Sequence, residues 1–484
     1  MPNSRVTGLL LVLLGCGSSR QVRCAPAPLA LSTSLRCRAC SAFLAPRRKF
    51  LHPHAAWTGG ENASPAQSGT STAAVPSWSD LESSLESSIS SPLPVSIDSV
   101  LDPSTPNFSK DHATLFRERH GWCPYSERVW LALELKGVPY DTVRIDNTGG
   151  GRPSYYGGQT PQMRWPDGRT QGESMDLVRE VDERYPEYGM SLYPEGMEAE
   201  VEAKVRAWSN TFPKKSRPSS RAAYLFDWSG EPLWKSEFER VLRDTDGVLS
   251  DTPGPFFCGD GITAADVAWA PFLERYGAQL PCLHDDLDPR DAGAYPHLSA
   301  WYDAMDSVPA YACRVKGDKS SWRKVLSMAG FGNAGVPTKI MDRMEGEADV
   351  EAERPSAKRA ELETEIWDEY ASSRPHVARS AAAEAASVVV RNRDAIAADI
   401  GKRLSQSGKW VNAGLPSDEN GLEEAMRGLA AVLIKEGEIS SADSESTLSK
   451  EVISLASYLD ERMCVPRDMG SMSAAAMKRL AGYM

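Results

Sequence analysis

At 484 residues, with 41% hydrophobic, 25% charged and 8% aromatic side chains and a mean hydropathy of −0.39, the chain is too long for one compact domain and reads as two to four soluble, globular ones. No apolar run beyond the first twenty residues approaches the ~20 residues that a membrane-crossing helix needs. The net charge of −12 is uneven: residues 1–60 hold eight Lys or Arg and no acid, while the other 424 residues carry 46 basic against 66 acidic side chains, a net −20 that argues against non-specific nucleic-acid binding.

In chain order, the first element is an address. Arg5 precedes the apolar run 9–14, the short core of a secretory signal, and residues 20–60 stay acid-free, Arg-bearing and rich in Ser and Ala, as transit peptides are. The string Cys40-Ser41-Ala42-Phe43-Leu44-Ala45-Pro46 resembles the junction of bipartite presequences in algae with secondary plastids. That implies delivery to the plastid stroma through the ER; a secreted or endomembrane protein is the alternative. Four of the nine cysteines fall in this leader, and the remaining five (Cys123, Cys258, Cys282, Cys313, Cys464) form no disulfide framework. Cys37 and Cys40 with His52 and His54 lack finger spacing, so no metal is expected.

Residues 61–110 read as a linker carrying one short helix, with Trp78, Leu81, Leu85 and Ile89 at helical steps. From there strand 113–119, helix 124–136 and strand 140–146 make a βαβ unit. Segments 161–165 and 169–171 flank the turn Pro166-Asp167-Gly168 as a hairpin, and helix 173–185 ends before Pro186. This order predicts an α/β thioredoxin-like domain over 111–190. An all-α domain over 191–335 follows, with helices at 197–211, 232–249, 264–278, 296–307 and 322–328. Thr263 and Asp266 read as a capping box, with Ile262 and Val267 as its hydrophobic staple. A helical extension, 336–484, has helix-period stretches at 359–371, 377–404, 421–436 and 446–462.

The chemistry concentrates in His120-Gly121-Trp122-Cys123-Pro124-Tyr125-Ser126-Glu127-Arg128-Val129. Cys123 falls between strand and helix, and Pro124 suits the first helical position. A thiol there faces the positive end of the helix dipole and free N–H groups, which favour thiolate. Three residues on stands Ser126, so an oxidised Cys123 needs an external thiol to resolve it. A buried, inert cysteine is the alternative.

These residues resemble the cysteine-type glutathione transferases, the branch with the omega, lambda and dehydroascorbate-reductase classes. Cys123-Pro124-Tyr125-Ser126-x-Arg128-Val129 is similar to their active-site opening. Thr160-Pro161 resembles the family's cis-proline site, which implies a backbone pairing with the cysteinyl part of glutathione. Glu173-Ser174 resembles the pair that receives the γ-glutamyl group, and the alternative for it is plain helix capping. The family's basic residue for the glycyl carboxylate has no match; Arg152 and Arg164 are candidates. The end of the chain, Val465-Pro466-Arg467-Asp468-Met469, looks like that of long transferase-like proteins of the cyanobacterial and plastid lineage.

The resemblance implies an α/β thioredoxin-like domain followed by an all-α transferase domain, with glutathione as co-substrate and a small thiol, disulfide or electrophile as partner. The expected activity is thiol transfer through a glutathione mixed disulfide on Cys123, with weak conjugation and a possible homodimer. The alternative is a non-catalytic binding or assembly module. Trp208, Phe212 and Tyr224 are candidates for an acceptor pocket, or for core.

Overall fold

Short, alternating elements open the described chain. They are α1 (Trp78–Glu86), β1 (Ser96–Asp98), β2 (Ala113–Glu118), α2 (Pro124–Lys136), β3 (Tyr140–Ile145), β4 (Gln162–Arg164), β5 (Thr170–Gln171) and α3 (Ser174–Arg184). The computed structural model describes residues 75–87, 89–146, 152–212, 235–284, 286–329, 336–351, 355–405, 409–436 and 448–481. The leader and Tyr224 lie outside the described residues.

The strands form one sheet in the order β1-β3-β2-β4-β5. The first three are parallel, with Leu115 opposite Thr142 and Ile97 opposite Val143. β4 and β5 close the other edge antiparallel, with Leu115 opposite Met163. This is the thioredoxin-like arrangement expected, with one addition. Ser96–Asp98, inside the segment read as linker, is an edge strand beside β3. Three residues are too few for alternation to register, so partner pairing, not local pattern, places this strand.

Helix α2 is buried almost all round, including Glu127, Arg128, Glu134 and Lys136, because it lies between the sheet, α3 and the helical domain. Lys136 pairs with Asp182 at 3.0 Å, and Asp182 also accepts N–H bonds from Leu192 and Tyr193, which fixes the exit from the first domain.

The second domain comprises α4 (Glu198–Thr211), α5 (Lys235–Ser250), α6 (Ala264–Leu283), α7 (Pro296–Asp306), a π-turn at Tyr311–Val315 and α8 (Lys319–Ala329). The capping box forms: Thr263 N–H donates to Asp266 Oδ2 at 2.8 Å, and Ile262 and Val267 are buried. The buried Asp266 carboxyl also receives Phe257 N–H at 3.1 Å and Trp301 Nε1–H at 2.9 Å. Helix α6 runs five residues past the expected end at 278, through Pro281, because nearly all of its residues are buried against neighbours.

The extension contains α9 (Thr338–Glu351), α10 (Ala357–Ser372), α11 (Ala381–Arg391), α12 (Arg393–Leu404), α13 (Lys409–Asn412), α14 (Glu419–Glu436), α15 (Lys450–Arg462) and α16 (Ser471–Ala481). The stretch read as one helix over 377–404 is two. Asn392 ends α11, returning its side-chain N–H to Val388 O at 2.8 Å, and opens α12. The extension has its own core, and α1 belongs to it through Leu81 and Leu85. Burial of those two leucines contributes roughly 1.5–3 kcal/mol each. The segment before the first domain thus folds back onto the end of the chain.

Candidate active site around Cys123

Cys123 is the N-cap of α2, with Pro124 at the first helical position and no side-chain cap bond. The loop before it is held from below by Glu118, whose carboxylate accepts His120 N–H at 2.9 Å and Trp122 N–H at 2.7 Å. Gly121 turns it at φ +80°, a conformation that glycine adopts without steric cost. From the helical domain, fully buried Arg275 donates to Trp122 O at 3.1 Å and pairs with Glu127 Oε2 at 2.8 Å. Arg275 also lies 3.9 Å over the Trp322 ring.

The structure brings the sequence-predicted groups together. Cys123 Sγ lies 4.0 Å from Thr160 O, and the Thr160–Pro161 peptide is cis. Gln159 Nε2 donates to Glu173 Oε1 at 3.3 Å, which links the cis-proline turn to the start of α3. Arg128, on α2, donates to Ser174 Oγ at 3.4 Å. Glu173 stands at φ +62°, strained for a non-glycine residue, and its exposed side chain makes no cap bond to α3. Plain helix capping therefore does not account for Glu173. Ser174, Pro124 and Ser126 are buried, and Tyr125 packs edge-on to Trp208 and Phe272.

One expectation changes, and one open choice closes. Burial pushes the Cys123 thiol above its ordinary value, and the nearby Glu118 charge adds to this, although the Ser126 hydroxyl and the N–H groups of Ser126 and Tyr125 pull it down. The helix start favours thiolate, but enclosure of the sulfur outweighs it. Trp208 and Phe212 are core residues at 7% and 0% exposure, packed at tilted or edge-on angles against Phe272, Trp269 and Tyr276. Of the two candidate arginines, Arg164 is engaged with Gly168 O and the Phe108 ring, whereas exposed Arg152 bonds Gly158 O beside the cis-proline turn.

The extension reaches this site, which local sequence pattern did not reveal. Trp122 Nε1–H donates to Cys464 Sγ at 3.0 Å, and Cys464 Sγ lies 3.6 Å from His120 O. Arg467 Nη1 is 3.1 Å from His120 Nδ1; burial and the Arg467 charge hold that imidazole down at about 4, so it is neutral and accepts the bond. Arg314 donates to Pro466 O at 3.2 Å. At the far end of α2, Tyr370 and Arg374 bind Glu134. The Val465–Met469 motif was the available signal, though its target lies some 345 residues earlier.

Among the described residues no helix is long and apolar enough to cross a membrane. The family model "Glutathione S-transferase, N-terminal domain" matches residues 122–184, and "Glutathione S-transferase, C-terminal domain" matches 198–304. The chain is 29% identical over 203 residues to "Glutathione S-transferase L3" of Arabidopsis thaliana, spanning 39% of this chain and 77% of that protein. It is 30% identical over 171 residues to "Probable glutathione S-transferase DHAR1, cytosolic" of Oryza sativa subsp. japonica, spanning 34% and 70%. Glutathione transferase Omega 3C from Trametes versicolor is a solved structure with 19% identity and a TM-score of 0.35, over 51% of this chain and 95% of that one. With Cys123 opening α2 beside a cis-proline and both family domains in order, the chain belongs to the glutathione S-transferase family, in its cysteine-type branch.

Proposed function

We propose that this transferase uses Cys123 as a nucleophile to reduce or deglutathionylate a small substrate, with weak conjugation as a side activity. The observation that carries the reading is Cys123 Sγ at the start of α2, 4.0 Å from the carbonyl before cis Pro161. The Cys123 thiolate attacks the mixed disulfide of a glutathionylated substrate and releases the substrate thiol, leaving glutathione on Cys123. A second glutathione thiolate attacks that bond, regenerating Cys123 and forming oxidised glutathione. In this reading the Thr160 backbone aligns the cysteinyl part of glutathione. The Ser174 hydroxyl and the N–H groups opening α3 receive the γ-glutamyl carboxylate, and Glu173 its amino group. Pro124, Tyr125 and Ser126 support the loop.

The deciding experiment compares wild type with Cys123→Ser, using glutathione and disulfide, dehydroascorbate or aryl-halide acceptors. Thiol transfer that survives the substitution refutes the mechanism. Because burial raises the Cys123 thiol, a non-catalytic binding module is the second reading. It is favoured if oxidised glutathione leaves no adduct on Cys123 by intact mass. We further propose plastid import, on the strength of the leader, and a homodimer. The domain division we propose is 111–190, 191–335 and 336–484, with β1 joined to the first domain and α1 to the extension.

A further inference from the structure

A cavity with charged residues in its walls lies away from Cys123, at the seam between the helical domain and the extension. Its volume is about 270 Å³, and α6, α7, the π-turn, α8, α10 and α16 all contribute to its walls. Five cations face it: Arg290, Lys316, Lys319, Arg359 and Lys478. They outnumber the carboxylates. Arg290 and Lys316 share the carboxylate of Asp306, at 3.0 and 2.6 Å, with exposed Asp303 a further 4.0 Å partner of Arg290; Lys478 pairs with Asp318 at 2.9 Å, and Arg359 pairs with Glu363. Exposed Lys319 makes no ion pair among the described residues.

Burial alone would raise Asp306, but Lys316 and Arg290 outweigh it and bring that carboxyl to about 2, so it is ionised. The remaining acid on the wall, Glu274, is pushed well up by burial and by the neighbouring Glu127 charge. The wall therefore carries five cations against four acids, with the Glu274 carboxyl shifted toward its uncharged form. Tyr311, 2% exposed, adds a hydroxyl with no hydrogen bond among the described residues.

Glu274 also connects the cavity to the active-site loop. Its carboxyl receives the Gly317 N–H at 2.5 Å and Trp322 Nε1–H at 2.8 Å. Trp322 lines the cavity and carries Arg275 on its ring, and Arg275 holds Trp122 O and Glu127 one residue and four residues from Cys123.

We propose that this cavity binds a small oxyanion dianion, of the phosphate or short dicarboxylate type, and that occupancy is transmitted through Glu274 and Arg275 to the Cys123 loop. The cation excess sets the sign of the ligand, and the volume limits it to a small molecule. Trp322 is bonded to Glu274 in the cavity wall and lies under Arg275, so a ligand that packs against this wall bears on the Arg275 hold on Trp122.

The test is calorimetric titration of the full chain with sodium phosphate and with succinate, against acetate and chloride at equal ionic strength. Alongside it, the rate of Cys123 alkylation by iodoacetamide is followed by peptide mapping. Saturable binding of phosphate or succinate is expected, weakened at least tenfold in Lys319→Glu and in Lys316→Met. Phosphate alone or succinate alone identifies which oxyanion the site takes. A dianion that binds should slow Cys123 alkylation at least twofold. No saturable binding of either dianion, or unchanged binding in both variants, overturns the site. Binding with unaltered alkylation overturns the coupling. Neither readout depends on glutathione, so failure here is distinguishable from failure of the thiol-transfer reading.

Discussion

The starts of α2 and α6 are built from opposite choices. At α6, Thr263 and Asp266 close the helix end, and Asp266 spends its carboxylate on Thr263, Phe257 and Trp301. At α2 the N-cap is Cys123, which makes no cap bond, and the N–H groups of Tyr125 and Ser126 are left to act on the sulfur. One helix end uses its unpaired N–H groups for stability, and the other keeps them for a reacting group. The open end is held instead from outside the helix, by Glu118, Arg275 and the Cys464–Arg467 segment.

Substitutions at the two ends should therefore diverge. Cys123→Ser is expected to lower glutathione-dependent thiol transfer at least a thousandfold while thermal stability changes little, read by steady-state assay and calorimetry. Asp266→Ala should do the reverse. It strands four buried donors and should cost about 3–5 kcal/mol in denaturant unfolding, with activity per folded molecule retained. Equal activity loss in the two variants would erase the contrast.

Arg275→Met sharpens the comparison, since it removes an external hold on the open end. It should lower kcat about tenfold with a smaller change in KM, and shift the pH profile of Cys123 alkylation. The wild-type profile is itself diagnostic. Burial holds the thiol above its ordinary 9.0, so alkylation should keep climbing as pH rises through 9; a plateau below pH 8 would contradict the enclosure of Cys123. Thr263→Ala, which loses one cap acceptor, should cost only about 1 kcal/mol. Smallest of all, Cys464→Val should alter transfer no more than two- to threefold, because Glu118 and Arg275 still hold Trp122.

Much of this was legible in the residues. Helix α2 spans 124–136 as expected from its Pro124 start, and Gly137 closes it at a left-handed φ of +65°. Cys123 reaches Thr160 O, and Gln159 links the Pro161 turn to Glu173; these groups sit at element boundaries, where sequence punctuation is strongest. The enclosure of the thiol was not legible. It depends on solvent excluded by residues remote in sequence, whereas the helix dipole is local. Nor was the membership of Trp208 and Phe212 in the core, since an aromatic at helical spacing is compatible with core or pocket.

Local chemistry by itself determined where α2 begins and ends, that a thiol opens it, and that an acid–hydroxyl pair opens α3. Only the tertiary structure decided that α1 belongs with the extension, that Ser96–Asp98 is a strand, and that Cys464 and Arg467 touch the loop before Cys123. The physical reason is range. Capping, turn and periodicity preferences act within a few residues, whereas burial and long-range pairing depend on which surfaces the closed chain brings together.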